Sequence, residues 1–211
     1  MKKALIVWGG WDGHEPRQTA EIMAEGLQAE GFEVEVATTL DAYLDEQKLM
    51  GLDLIVNNWT MGTISSEQLT PLLNGVRSGV GFGGIHGGMC DAFREQTEYQ
   101  FMCGGQWVAH PGGIRPYRVD IGPTSDPITA GIAAFDVTSE QYYMHVDPIN
   151  TVLATTRFAD YDNVEMPVVW KKMYGQGRVF YCSLGHSADV LAMEPVLTMV
   201  LRGLVWAAKA G

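Results

Sequence analysis

The chain opens on a continuous apolar run, Ala4-Leu5-Ile6-Val7-Trp8, of the kind a strand shows when both faces of its sheet are covered. After a Gly-rich loop, Ile22, Met23 and Leu27 recur at helical spacing within residues 18 to 29, and Gly31 supplies the C-terminal stop. Phe32 to Ala37 alternates apolar and acidic positions, and Leu52 to Val56 is a second solid apolar run. Ser66 to Gly79 returns to helical spacing ahead of a strand over Val80 to Ile85. This alternation predicts a parallel, doubly wound α/β sheet with right-handed crossovers.

Beyond residue 115 the pattern changes. Strand-like stretches at Tyr117 to Ile121, Ala134 to Val137, Gln141 to Met144, Val152 to Ala154, Pro167 to Lys171 and Arg178 to Ser183 have few helices between them. They predict antiparallel strands added to the sheet edge, or a small β layer. Glu194 to Lys209 reads as a closing amphipathic helix. No linker, repeat or low-complexity segment divides the chain, so its 211 residues are expected to form one α/β domain over 1–211.

Composition narrows the function. Charged residues make up 18 % against a usual ~25 %, and hydrophobic residues 46 %, which excludes disorder and coiled coil. A net charge of −11 with no long basic run excludes a nucleic-acid or anionic-membrane partner. The start imitates a signal peptide, but its apolar run ends at Gly9-Gly10 and reads as a buried strand; nowhere do ~20 apolar residues follow one another. Cys90, Cys103 and Cys182 form no CxxC pair, which fits a reducing, cytoplasmic setting. Eleven methionines and six tryptophans suit a homo-oligomer's apolar contact surface and suit a core equally well.

Ligands of open parallel sheets bind beyond the carboxyl ends of the strands, and each of the five histidines of this chain falls at or near an expected strand end. His14, His86, His110 and His186 are the candidate acid–base groups, in that order, each near Gly or Pro; His145 caps a strand equally well. Gly84-Ile85-His86-Gly87-Gly88 resembles a nucleophile elbow with His where Ser or Cys would stand. The amides of Gly87 and Gly88 would bind an oxyanion or sugar oxygen, or those glycines serve close packing. Cys90 reads as a buried structural thiol, with a cryptic hydrolase as the alternative.

Glu140 and Tyr142 alternate along one strand, so both can face a ligand or both can face solvent. Gly10, Trp11 and Trp107 sit in Gly-rich loops, where an indole serves as sugar platform or as core. Asp12, Glu15, Asp147 and Asp189 read as turn and helix-end charges. A divalent ion such as Zn²⁺ held by His14, His86 and His110 would polarise a carbonyl, although no HxH or HExxH spacing announces it. Neither GxGxxG after the first strand nor GxxxxGK[ST] occurs, so nucleotide cofactors lack support.

Several blocks in order extend over nearly the whole chain. They are Gly9-Gly10 with His14, Gly81 to Gly88, Gly104-Gly105 through His110-Pro111, Glu140 with Tyr142, Pro167 to Trp170, Tyr174 to Tyr181 leading into Leu184-Gly185-His186, and Leu201 to Ala208. Together they resemble the trehalose-utilisation (ThuA-like) family. The resemblance implies a flavodoxin-like fold of the class I glutamine amidotransferase type and a small-molecule sugar substrate, a disaccharide or its 3-keto derivative. Where amidotransferases carry a Cys nucleophile, this chain has His86, so the resemblance does not extend to glutamine hydrolysis. Ser139 stands before Glu140 where the family often has an acidic residue, which weakens a paired-carboxylate role. The resulting expectation is an enzyme doing acid–base chemistry on a sugar at a His-lined cleft; the alternative is a non-catalytic sugar-binding or regulatory module on the same scaffold.

Overall fold

A computed structural model describes residues 1–122 and 125–209. The first part of the chain runs β1 (Lys2–Gly10), α1 (Pro16–Ala29), β2 (Phe32–Ala37), α2 (Glu46–Met50), β3 (Leu54–Thr60), α3 (Ser66–Arg77), β4 (Gly81–Ile85), α4 (His86–Cys90) and α5 (Thr97–Cys103). The remainder runs β5 (Gly105–Ala109), β6 (Ile114–Ile121), β7 (Phe135–Glu140), β8 (Tyr143–Val146), β9 (Thr151–Phe158), β10 (Val164–Tyr174), β11 (Gly177–Cys182), α6 (Ala188–Leu191) and α7 (Glu194–Ala207). Helix starts follow local chemistry. Pro16 opens α1, where its missing N–H costs nothing, and Ser65 and Gln68 form a reciprocal capping box on α3.

Nine strands form one sheet in the order β2-β1-β3-β4-β11-β10-β9-β6-β7, while β5 and β8 pair as a separate ribbon. The five strands from β2 to β11 are mutually parallel, and their 2-1-3-4-5 arrangement is flavodoxin-like. From β10 outward every pairing is antiparallel, as the second half of the sequence predicts. Side chains alternate across β1: Leu5 and Val7 enter the core layer beneath α2, α3 and α5, and Ala4 and Ile6 the layer beneath α1 and α7. Four fully buried consecutive positions are therefore what the opening apolar run encodes.

The antiparallel half does not continue flat. β7 lies five positions from β4, ~24 Å across an untwisted sheet at ~4.8 Å per strand, yet Glu140 at its end reaches within 3.2 Å of His86 at the end of β4. The sheet curls over its own rim. A register shift between Pro167 and Val169, where β10 meets β9, marks one bend, and it sits at the proline that cannot donate to the ladder. On the opposite edge of β10 the ladder with β11 continues in register, Ser183 N donating to Val168 O at 2.7 Å.

Three sequence expectations shift. β1 extends to Gly10, because Gly9 and Gly10 remain paired with Trp59 and Thr60. The strand expected over Gln141 to Met144 begins only at Tyr143, as β8 in the separate ribbon, and Glu140, expected to share a strand with Tyr142, instead ends β7. The short helices α2, α4 and α5 and the strand β5 carry too few periodic residues to stand out.

Packing of α7 on the sheet is close. A Cβ on Gly203 would overlap the ring of fully buried Phe180. Gly203→Ala is expected to cost ~1–3 kcal/mol through overpacking and to lower Tm by ~2–4 °C per kcal/mol in a chain of this size, measurable by thermal melting.

Candidate functional site

The carboxyl ends of β1, β3, β4 and β11 meet at one rim, and each delivers a loop to it. Two adjacent asparagines on β3 tie these loops together. Asn57 Nδ2 donates to Gly88 O at 2.6 Å while its Oδ1 accepts from Tyr43 Oη at 2.7 Å; Asn58 Nδ2 donates to Pro16 O and Thr19 Oγ1, both at 2.9 Å. The elbow after β4 is strained, with His86 at φ 44° directly after an extended Ile85. Its glycines serve packing: a Cβ on Gly87 would lie 2.6 Å from the His14 ring, and one on Gly88 would overlap Asn58. The carbonyls of His86 and Gly88 are taken up by Tyr181 and Asn57. Gly10 likewise backs onto Thr60.

Three predicted histidines converge on a single oxygen of the predicted Glu140. Glu140 Oε2 lies 3.2 Å from His86 Nε2, 3.3 Å from His186 Nδ1 and 3.6 Å from His14 Nε2. His14, His86, His186 and Glu140 each offer one ligating atom within 4.8 Å of the others, a group fit for one metal ion. All four are largely buried. This group differs from the trio expected from the sequence: His186 and Glu140 join His14 and His86, while His110 stands outside it, its Nε2 facing the other carboxylate oxygen, Oε1, at 3.7 Å and its side chain 37 % exposed.

Protonation of this group is constrained. His86 Nδ1 lies 2.7 Å from the carbonyl of Ser183, which only accepts, so Nδ1 carries the proton. Burial drives the His86 pKa down to about 4 against the opposing pull of Glu140, which leaves the ring neutral at pH 7. Its Nε2 then presents a lone pair to Glu140 Oε2. Burial pushes the Glu140 carboxyl up, but the surrounding histidines, His14 and His186 foremost, more than offset that and hold it well below the usual carboxylate range. An ionised oxygen therefore faces an acceptor nitrogen at 3.2 Å. His186 Nδ1, buried and 3.3 Å from the same oxygen, has no hydrogen-bond partner among the described residues. His14 Nδ1 is held by Thr60 Oγ1 at 2.9 Å.

Aromatic rings wall the site. Tyr142 stacks on His86 with centroids 4.0 Å apart, so the strand break after Glu140 still leaves both residues facing the cluster. Trp11, 47 % exposed, stands edge-on to His14 at 4.8 Å, and Trp107 lies 5.6 Å from His110. His145 is exposed on β8 outside the cluster, and Ser139 is buried beside Glu140. Asp147 pairs with Lys172, Asp189 lies exposed in the first turn of α6, and Asp12 sits in the short turn before His14. Glu15 does more than end a helix: its Oε2 accepts from Ala188 N at 2.8 Å, linking the His14 loop to the His186 loop. Thr60, Ser183, Asn57 and Asn58 were not singled out in the sequence, although paired asparagines inside an apolar strand are a legible signal of buried polar duty.

The sequence model of the ThuA family, described as trehalose utilisation, matches residues 3–207. Among solved structures, a ThuA-like protein from Parabacteroides merdae superposes with a TM-score of 0.80 at 18 % identity, covering 98 % of this chain and 89 % of that one. A cytoplasmic protein from Salmonella typhimurium LT2 gives 0.73 at 13 %, covering 98 % and 100 %. A β-galactosidase from Bacillus circulans sp. alkalophilus gives 0.62 at 12 %, covering 98 % of this chain and 30 % of that enzyme. At such identities these likenesses concern the fold. No curated protein sequence matches the chain.

The thiols stand apart from this chemistry. Cys90, Cys103 and Cys182 are buried and unpaired in disulfides; burial raises Cys90 well above its usual pKa and Cys182 to about 12. Native protein is expected to leave all three unreacted with a thiol reagent at pH 7.5 and to release them on denaturation. Rapid labelling of Cys90 in the folded state would reopen a thiol mechanism.

Proposed function

The chain belongs to the ThuA family, and from that premise we propose that the rim pocket is the active site of a carbohydrate-acting enzyme, built on a divalent cation such as Zn²⁺ held by His14, His86, His186 and Glu140. The observation that carries this reading is the acceptor facing an acceptor between His86 Nε2 and Glu140 Oε2. Without a positive centre two lone pairs would be buried against each other, and burial opposes supplying that charge as an imidazolium. Contacts of 3.2, 3.3 and 3.6 Å to one oxygen also match the ~3.4 Å edges of a tetrahedral ligand set with bonds of ~2.0–2.1 Å. The Ser183 carbonyl behind His86 and the Thr60 hydroxyl behind His14 are the outer partners that fix ligand rings.

Such a cation would polarise a sugar carbonyl or hydroxyl and acidify bound water. The chain's own residues do the remaining work. His110, half-open at the mouth and facing Glu140 Oε1, is placed to take or give a proton at a carbon or oxygen next to that carbonyl. Trp11 and Trp107 flank the entrance with indole faces suited to pyranose rings, and Tyr142 keeps the His86 ring from turning. The reaction class is acid–base chemistry on a sugar or 3-keto-sugar: isomerisation, hydration or cleavage beside a carbonyl. Glutamine hydrolysis has no thiol at the elbow to carry it. Buried, reduced cysteines and the name of the Salmonella neighbour support a cytoplasmic setting, and no helix among the described residues is long and apolar enough to cross a membrane.

Elemental analysis of protein purified without chelator or affinity tag is expected to find about one divalent ion per chain. Glu140→Gln and His86→Ala should each weaken it by about 100-fold or more, beyond the ~10–100-fold typical of outer-partner changes. His110→Ala should retain the ion and lose about 10²-fold or more in turnover of a 3-keto-disaccharide, the scale of one acid–base group. Full activity in metal-free protein would remove the cation from this reading; unchanged turnover in both His14→Ala and His86→Ala would remove the site. Tight sugar binding with no product would favour a binding module instead.

A further inference from the structure

The three imidazoles around Glu140 Oε2 are not held alike. Behind His14 stands the Thr60 hydroxyl and behind His86 the Ser183 carbonyl, whereas His186 Nδ1 approaches Glu140 at 3.3 Å and no hydrogen bond among the described residues holds its ring. Edge contacts with the His14 and His86 rings, at 5.2 and 5.3 Å between centroids, pack it without giving it a direction. Where the ring stands is therefore set by its backbone. The turn that carries it runs from Gly185, at φ 102° with Ile85 packed behind it, through Ser187 into α6, and Ser187 Oγ accepts from Val190 N at 3.4 Å. A helix of four residues gives this turn little anchorage of its own.

The anchor comes from the His14 loop. Glu15 Oε2 accepts from Ala188 N at 2.8 Å, across 173 residues of sequence. Glu15 directly follows His14, and its own backbone is fixed independently of its carboxylate. Its N donates to Asp12 O at 3.0 Å, and its carbonyl accepts from Thr19 N and Thr19 Oγ1, both at 3.0 Å. Those bonds maintain the left-handed conformation at φ 46°. Thr60 secures the His14 ring, so the Glu15 side chain is not needed on its own loop and serves the facing one.

We propose that Glu15 is a positioning residue for the ion site: by clasping Ala188 N it sets where His186 stands, and so how tightly the three histidines and Glu140 hold a divalent cation. The assignment rests on the cation reading above and adds to it a residue outside the ligand set. The clasp needs an acceptor oxygen at position 15 rather than a charge, so Gln serves there where Ala does not.

Zinc titration of metal-free protein in competition with a chelator tests it, with a melting curve for each variant. Glu15→Ala is expected to weaken zinc by about 10- to 100-fold, the effect usual for outer partners of a metal site, and Glu15→Gln to stay within about threefold of the wild type. Ala188→Pro removes the other half of the bond without touching the His14 loop. Position 188 is the first residue of α6, where a missing N–H is tolerated, and Ser187 (φ −133°, ψ 166°) already has the extended backbone that a following proline requires. This variant should match Glu15→Ala, and it decides where Glu15→Ala fails to fold. In a His186→Ala background, Glu15→Ala should cost less than about threefold further, because the ring it positions is gone. A loss that Gln does not restore, or that persists in full without His186, marks a general effect on the fold and overturns the clasp, as does unchanged affinity in either folded variant. Wild-type protein that fails to bind zinc overturns the cation reading itself, and this assignment falls with it.

Discussion

One carboxylate oxygen organises the site. Glu140 Oε2 is approached by ring nitrogens of His86, His186 and His14 at 3.2 to 3.6 Å, and the backbone carbonyl of Ser183 dictates that the nearest of these is an acceptor. Buried acceptors do not face one another without a proton or cation between them. A proton shared there would make His86 an imidazolium, which its near-complete burial opposes. A cation removes the conflict and also gives the partnerless His186 Nδ1 something to bind. A single backbone hydrogen bond, 97 residues apart in sequence, thus determines what kind of chemistry the pocket can host.

Getting that carboxylate to those rings is the task of the sheet's antiparallel half. The parallel strands deliver His14, His86 and His186 to one rim by the ordinary logic of a doubly wound sheet. Glu140 comes from the far edge and arrives because the sheet bends over at the Pro167–Val169 irregularity. Tyr117 Oη then donates to the Glu140 carbonyl at 3.1 Å and pins the end of β7. The strand break immediately after Glu140 lets Tyr142 leave the sheet plane and lie flat against His86. Sheet curvature and site completion are therefore linked, because losing the bend would take Glu140 from the three histidines without touching any side chain of the group.

The parallel half was legible in the sequence because covered strands and amphipathic helices write distinct periods, and Ala4 to Val7 or Leu54 to Val56 emerge buried as that pattern requires. The histidines were legible too, since strand ends beside glycine mark the rim; four of five gather there, and exposed His145 does not. Which of them gather on one carboxylate oxygen was not legible. His110 and His186 lie in equally Gly-rich settings, and their separation onto different oxygens of Glu140 depends on where the β5 ribbon leaves the main sheet. Supporting residues such as Ser183 act through the backbone, whose carbonyl any residue would supply, so no side-chain pattern announces them. Glu15 reads as a helix-end charge until the fold brings Ala188 to it from 173 residues away.

The strained elbow after β4 fixes a side chain rather than presenting one. Where a nucleophile would be presented outward to substrate, His86 adopts the left-handed backbone at φ 44° and is almost wholly buried, aimed at Glu140 and stacked on Tyr142. The glycines beside it serve packing, because Gly87 makes room for the His14 ring and Gly88 for Asn58. A side chain so enclosed cannot attack a substrate as a nucleophile, but it suits a ligand that must be neutral, fixed in tautomer and shielded from water. The same strained turn that would sharpen a reactive group here immobilises one, and of the histidines around Glu140 it is His110, 37 % exposed, that stays accessible to solvent.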